Sequence, residues 1–289
     1  MNAKTEARGF TLVELLVVIA VTAMLVAVVL PSMATSKDAG QGALCMSHLR
    51  QLTTAWMTYT GDNRGKLVPN GGETAQPSGL NDLNGQPGGI LAQWCPGRQD
   101  MSSQLSPASA PDAANVGYKW IELGLIYPYV GSVSAYPCPA DISSLSSFGA
   151  RYPRVRSVAM NAWLSPIVPY ENITTVESYY KVSDLVQPGP SQTFVFSDDN
   201  PVSIAEGLFV CDPQIPQWVD APASYHNGGG GLSFADGHAE IKRWTDQTVL
   251  TEWNPPAIYP GNPGFTRLSP QQNPPRDLIF LQNASTYVK

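Results

Sequence analysis

The sequence predicts an α+β fold: a long N-terminal helix, its first half apolar and its second half amphipathic, packed on a small antiparallel sheet in a loop-rich head. Three observations carry this expectation. Residues 10–30 contain one charge, Glu14, and neither Gly nor Pro. The stretch that follows has apolar residues at helical spacing, and short β-prone runs gather among turn residues in the second half of the chain.

A helix over the 21 residues from Phe10 to Leu30 extends ~30 Å at about 1.5 Å per residue, which matches the hydrocarbon core of a bilayer. Lys4 and Arg8 precede it, and the first basic residue after it is Lys37. That charge balance predicts a single transmembrane pass with the extreme N-terminus in the cytoplasm and the bulk of the chain outside. Pro31 can kink or locally melt the helix. Beyond it, Leu44, Leu49, Leu52, Trp56 and Tyr59 recur every three to five residues, so the helix should continue as an amphipathic segment over 31–62. Gly61, Asp62, Asn63 and Gly65 supply the turn and C-cap chemistry that stops it near residue 60.

The net charge of -6 and the absence of a basic cluster outside the N-terminus exclude a phosphate-binding surface, and nucleic acid with it. The 25 Gly and 26 Pro predict a head dominated by turns and loops. Cys45, Cys95, Cys138 and Cys211 are far apart and form no C-x-x-C pair, which argues against a zinc site. An exported head favours disulfides, and four cysteines allow three pairings; buried free thiols are the alternative.

An ordinary secretory signal is cut after its apolar run. Here Arg8-Gly9-Phe10-Thr11-Leu12-Val13-Glu14-Leu15-Leu16 resembles the type IV prepilin and type II secretion pseudopilin signature. The resemblance implies a leader over residues 1–9, cleavage between Gly9 and Phe10 by a prepilin peptidase, N-methylation of Phe10, and retention of the apolar helix. It also gives Glu14 a role. A carboxylate inside an apolar segment costs about 2.5–3.5 kcal/mol on insertion scales, so it normally has a partner. In the resembled family the matching Glu pairs with the first amine of a neighbouring subunit. The implied location is the inner membrane, with the head periplasmic or extracellular. The implied partners are the peptidase, other pilin-like subunits and an inner-membrane assembly platform.

In the head, residues 63–289, the segment 65–115 reads as an extended insertion with little regular structure. A helix is expected over Lys119–Tyr129 and a turn at Cys138-Pro139-Ala140-Asp141. Strands are expected at 157–163, 193–197 and 208–211, with a final pair inside 231–244. Asp236-Gly237 suggests a two-residue hairpin turn. Its register would set Phe234 opposite Ala239 and Leu232 opposite Ile241, all four on one face lying on the long helix.

His226, nine residues, then Asp236-Gly237 resembles the H-X9-DG domain, residues 226–237 here, at the C-terminal end of prepilin-type proteins of planctomycete and verrucomicrobial kind. Cys45-x-x-x-Leu49-Arg50-Gln51 and Tyr136-Pro137-Cys138-Pro139-Ala140-Asp141 fit the same pattern, which says less about residues 65–115 and 246–289.

As for chemistry, His226, His238, Asp236, Asp198 and Asp199 are the one cluster that could hold a metal, with Asp198, Asp199 and Asp236 the candidate ligands. Carboxylates beside loop carbonyls suit calcium, the ion that resembling pseudopilins bind, although the D-x-D-x-D-G-x5-E loop is absent. No other cofactor is expected. Ser233, His226 and Asp236 formally offer a nucleophilic triad, but no G-x-S-x-G elbow precedes the serine. The glycines from Gly228 lack a phosphate-loop ending and suit flexibility or close backbone approach. The expectation is thus a structural subunit of a type II secretion or type IV pilus-like filament and not an enzyme. The rival is an anchored head that binds carbohydrate or a protein partner through its aromatic residues without polymerising.

Overall fold

The protein's structure, a computed structural model, describes residues 11–71, 92–96, 118–147, 150–167, 175–204, 207–247, 249–250 and 274–289. Gly9 and Phe10, with the cleavage and methylation expected there, lie outside the described residues, as does most of the insertion expected over 65–115. The chain divides into two units, Met1–Gly40 and Gln41–Lys289.

In the first unit, helix α1 (Leu12–Asp62) begins with a reciprocal cap. The backbone N–H and hydroxyl of Thr11 both donate to Glu14 Oε2 at 2.8 Å, while the Glu14 N–H donates to Thr11 Oγ1 at 3.2 Å. This is a capping box, which satisfies orphan N–H groups at a helix start. The apolar side chains that follow, among them Leu12, Leu15, Ile19 and Leu25, are all exposed. Among the described residues no helix is long and apolar enough to cross a membrane; the side chains of residues 28–36 lie outside that description. Pro31 falls within the helix bounds, so the backbone is not melted there.

The second unit is built on the later turns of α1. Cys45, Leu49, Leu52 and Trp56 form a buried stripe at spacings of three and four, the side of a helix that a sheet covers. Past Asp62 the chain turns through Arg64 and Gly65, both with positive φ, and the Gly65 N–H closes on the Thr60 carbonyl at 2.9 Å, the left-handed stop expected there.

Next come the helical turns α2 (Lys119–Glu122) and α3 (Tyr127–Val130), where the sequence suggested one helix. The break falls at Gly124, whose missing side chain makes room for the Trp94 carbonyl. A small antiparallel pair follows, β1 (Ser144–Ser147) and β2 (Ala150–Pro153), which the sequence analysis did not anticipate.

The main sheet contains β3 (Val158–Asn161), β4 (Phe194–Asp198), β5 (Leu208–Phe209), β6 (Gly229–Phe234) and β7 (Ala239–Arg243), in the order β5-β3-β4-β6-β7. Its pairs are antiparallel except for short β5, which runs parallel to β3. The fold is therefore α+β, with a mixed five-stranded sheet.

Both faces of the sheet are covered. Val158 and Met160 pack with the α1 stripe, while Ala159 between them packs in a second cluster on the other side, as a period of two requires. That second cluster joins Phe194, Phe209, Leu232 and Phe234 to Trp218, Trp244 and the C-terminal helix α4 (Arg276–Ser285) through Leu278, Leu281 and Ala284. The β4–β6 register slips between Phe194 and Phe196, and the two phenylalanines end in different layers.

The hairpin corrects the expected register by one residue. Ser233, not Phe234, stands opposite Ala239, and Leu232 stands opposite Glu240. The connection is a three-residue loop over 235–237, closed by Phe234 N–H to the His238 carbonyl and Gly237 N–H to the Phe234 carbonyl, both at 2.9 Å. Gly237 is the loop residue with positive φ, +97°, which is the three-residue solution and not the two-residue one. A one-residue slip exchanges faces. Leu232 and Phe234 consequently look away from α1 toward α4, while Gly231 and Ser233 look toward α1, where Ser233 Oγ lies 2.7 Å from Thr53 Oγ1.

Candidate functional site

Four residues from four separate stretches converge under α1. Cys45, Cys138, Asp198 and His226 are all buried, and one potential ligand atom from each lies within 4.8 Å of the others. Cys45 Sγ donates to Asp198 Oδ2 at 3.0 Å. Cys138 Sγ sits 3.3 Å from His226 Nε2, and that nitrogen is 3.7 Å from Asp198 Oδ2.

Each member is held by local structure. Cys45 lies on the α1 stripe, one turn before Leu49. Cys138 lies in the Tyr136-to-Asp141 turn: the Asp141 N–H donates to the Cys138 carbonyl at 3.0 Å, Gln41 Nε2 to the Pro139 carbonyl at 2.9 Å, and the Cys138 N–H to Ser157 Oγ. Asp198 ends β4, and its Oδ2 also accepts the Gly231 N–H at 2.9 Å. A side chain at Gly231 would collide with Leu49, Asp198 and Cys45 Sγ, its Cβ falling 2.5, 2.8 and 3.0 Å from them. His226 opens a two-residue turn in which Asn227 and Gly228 both have positive φ and His226 and Gly229 exchange backbone hydrogen bonds. Asn-Gly is the strongest two-residue hairpin signal, so the primed turn expected at Asp236-Gly237 occurs at the other end of β6.

The electrostatics are those of a buried, under-satisfied polar cluster. Asp198 Oδ1 and His226 Nδ1 have no hydrogen-bond partner among the described residues, the arrangement in which desolvation is most costly. The Cys45 thiol is pushed far above its ordinary range by its hydrogen bond with Cys138, by burial and by the nearby Asp198 charge. Burial opposes a charged His226, but hydrogen bonds to Asp198 and Cys138 outweigh it and raise the imidazole to about 10. The cluster draws on both ligand classes favoured by zinc, sulfur and nitrogen, with one oxygen.

The residues singled out from sequence distribute differently from the calcium grouping. Asp198 belongs to the cluster, whereas Asp199 turns to Ser203, whose hydroxyl donates to Oδ1 at 2.7 Å. Burial pushes the Asp199 carboxyl up to about 8, against the lowering effects of Ser203 and of Arg156 and Arg154. Asp236 stands exposed at the hairpin loop, 2.6 Å from His238 Nδ1. It adjoins the Phe194 end of β4, while Asp198 is the other end; four residues of strand separate them by about 13 Å. The three carboxylates thus do not form one site.

Nor does the formal triad assemble, since Ser233 faces Thr53, His226 faces Cys138 and Asp236 faces His238. All four cysteines are free thiols and buried. Cys95 and Cys211 lie outside the cluster, the first near Arg156 and the second near Ser285.

The sequence motifs acquire local reasons. In Cys45-x-x-x-Leu49-Arg50-Gln51, Leu49 packs on Gly231, the Arg50 guanidinium donates to the Ala239 carbonyl at 3.3 Å, and Gln51 Nε2 donates to the Val130 carbonyl at 3.0 Å. In the His226 to Gly237 segment, one end of β6 positions the imidazole and the other makes the loop. Sequence reasoning missed the Cys45–Cys138 approach and the Thr11 half of the capping box. The T-x-x-E pattern was a legible signal for the second.

Comparison with known proteins finds the prokaryotic N-terminal methylation motif over residues 5–30. The chain is thus prepilin-like at its N-terminus, carrying the signal of a prepilin peptidase substrate. No curated protein and no solved structure matches the chain.

Proposed function

We propose that the chain is a pseudopilin-like structural subunit. It is cleaved between Gly9 and Phe10, N-methylated at Phe10, held in the inner membrane by residues 10–30, and assembled with other pilin-like subunits into a type II secretion or type IV pilus-like filament on an inner-membrane platform. It acts by assembly and not by catalysis. The observation that carries this reading is the methylation motif over residues 5–30. Two further features support it. The side chains from Leu12 to Val26 form a long exposed apolar surface, which water does not tolerate without a membrane or helical partners. The likeness to H-X9-DG proteins rests on His226 and Asp236-Gly237, which frame a single strand.

Glu14 has two separable jobs in this reading. It caps its own helix through Thr11, and it offers a negative charge to the new amine of a neighbouring subunit. Glutamine can also complete a capping box but carries no charge. Glu14→Gln is therefore expected to leave processing intact and abolish pelletable filaments, and Glu14→Ala to do the same with a frayed helix start. Filaments of Glu14→Gln equal to those of the unmodified chain would reduce Glu14 to a cap and remove the pairing role.

A further inference from the structure

The geometry points to a structural zinc site formed by Cys45, Cys138, Asp198 and His226. A tetrahedral zinc ion with two sulfur, one nitrogen and one oxygen ligand has ligand-to-ligand edges of about 3.3–3.8 Å, from bond lengths of about 2.3 Å to sulfur and 2.0–2.2 Å to nitrogen and oxygen. The separations of 3.0, 3.3 and 3.7 Å among Cys45 Sγ, Cys138 Sγ, His226 Nε2 and Asp198 Oδ2 approach those edges, and no pair of ligand atoms exceeds 4.8 Å. Shifts of up to about 1 Å complete the shell.

The chemistry of the donors selects the ion. Thiolates with an imidazole and a carboxylate suit a borderline-soft divalent cation and not calcium or magnesium, which take all-oxygen shells. Four protein ligands, each with at most 4% of its surface exposed, leave no open position, the mark of a structural and not a catalytic centre. Binding exchanges the ion for the thiol protons of Cys45 and Cys138 and any proton on His226 Nε2, which pass to solvent. The carboxylate is already oriented by the Gly231 N–H, the outer-shell support that metal ligands require.

The site also has a reason to exist. Its ligands come from α1, the proline-flanked turn, the end of β4 and the Asn-Gly turn before β6, which are remote in sequence. One ion would tie these four stretches at the α1 face of the sheet, in a head short of regular structure. It would also hold as thiolates two neighbouring cysteines that an oxidising compartment otherwise converts to a disulfide.

The test uses the full-length chain in detergent. Zinc is measured by plasma mass spectrometry on protein purified with zinc present, and free thiols are titrated after unfolding in chelator. About one zinc per chain with four free thiols is expected. Cys138→Ser and His226→Gln should each lower zinc to below about a tenth of that content, while Cys211→Ala, outside the cluster, should retain it. Should the ligand variants fail to fold, cobalt(II) added to the unmodified, metal-stripped chain should give a thiolate-to-cobalt charge-transfer band that zinc abolishes. Two free thiols with a Cys45–Cys138 disulfide, four thiols without zinc, or a cobalt spectrum lacking thiolate bands would each overturn the site.

Discussion

Asp198 and Asp236 show how burial alone separates two strand-end aspartates. Asp198 sits among thiols and an imidazole and is buried, whereas Asp236 pairs with His238 in contact with solvent. Slight burial acts to raise the Asp236 carboxyl, but backbone and side-chain hydrogen bonds from His238 prevail and hold it below its ordinary value of 3.8. A depressed acid stabilises the fold fully above its unfolded value, and that contribution disappears as pH falls through the lower folded value. Because the pair is well exposed, its worth is at most about 0.5–1 kcal/mol. Asp236→Asn is accordingly expected to lower the melting temperature slightly at neutral pH and to flatten its fall between about pH 5 and 3. Thermal melts across that range check it, and an unchanged acid slope would count against the pairing.

At this scale the sequence was readable wherever chemistry is local. The His226-to-Gly237 spacing was read, whereas the Thr11-x-x-Glu14 box and the Asn227-Gly228 turn were legible signals that went unread. Asp198 and His226 were grouped as metal candidates, but their convergence with Cys45 and Cys138 was not readable, because no short spacing announces four ligands drawn from four distant stretches. Absence of a C-x-x-C pair therefore did not speak to whether two cysteines meet.

At the scale of elements, β3, β4 and β5 were found near their expected places because β-branched and aromatic runs bounded by turn residues mark strands however they are buried, and β6 and β7 because a hairpin-turn signal lies between them. Their faces were misread for a physical reason. The sheet is covered on both sides, so apolar residues on β6 do not report which side carries α1. Gly231 and Ser233, unremarkable in sequence, face the helix because small residues permit its close approach. Helix α4 went unanticipated because a proline-rich stretch precedes it. Its signals are modest: Pro275 at the cap, Asp277 accepting from Thr245 and Asp246, and Leu278 and Leu281 one turn apart. Leu281 is fully buried in the second cluster, so Leu281→Ala should destabilise the head by about 2–5 kcal/mol through lost contacts and a residual cavity. Urea titration would show a lower midpoint at unchanged slope; a change below about 0.5 kcal/mol would mean that α4 does not cover the sheet.

For the whole molecule, the α+β class was legible from the order of patterns, an apolar run, then an amphipathic stretch, then strands. The chain's prepilin-type signal was legible from nine residues around Gly9. Those residues matter because, in the proposed reading, they invert ordinary export logic: cleavage before the apolar run would keep residues 10–30 and create a free amine four residues ahead of Glu14. The proposed filament assembly and the pairing of that amine with a neighbour's carboxylate both presuppose this cut. The most direct measurement is mass spectrometry of the N-terminal peptide from protein made in a host containing prepilin peptidase. The account predicts a peptide that begins at Phe10 and carries an N-methyl group. A mature chain that still begins at Met1 would contradict it.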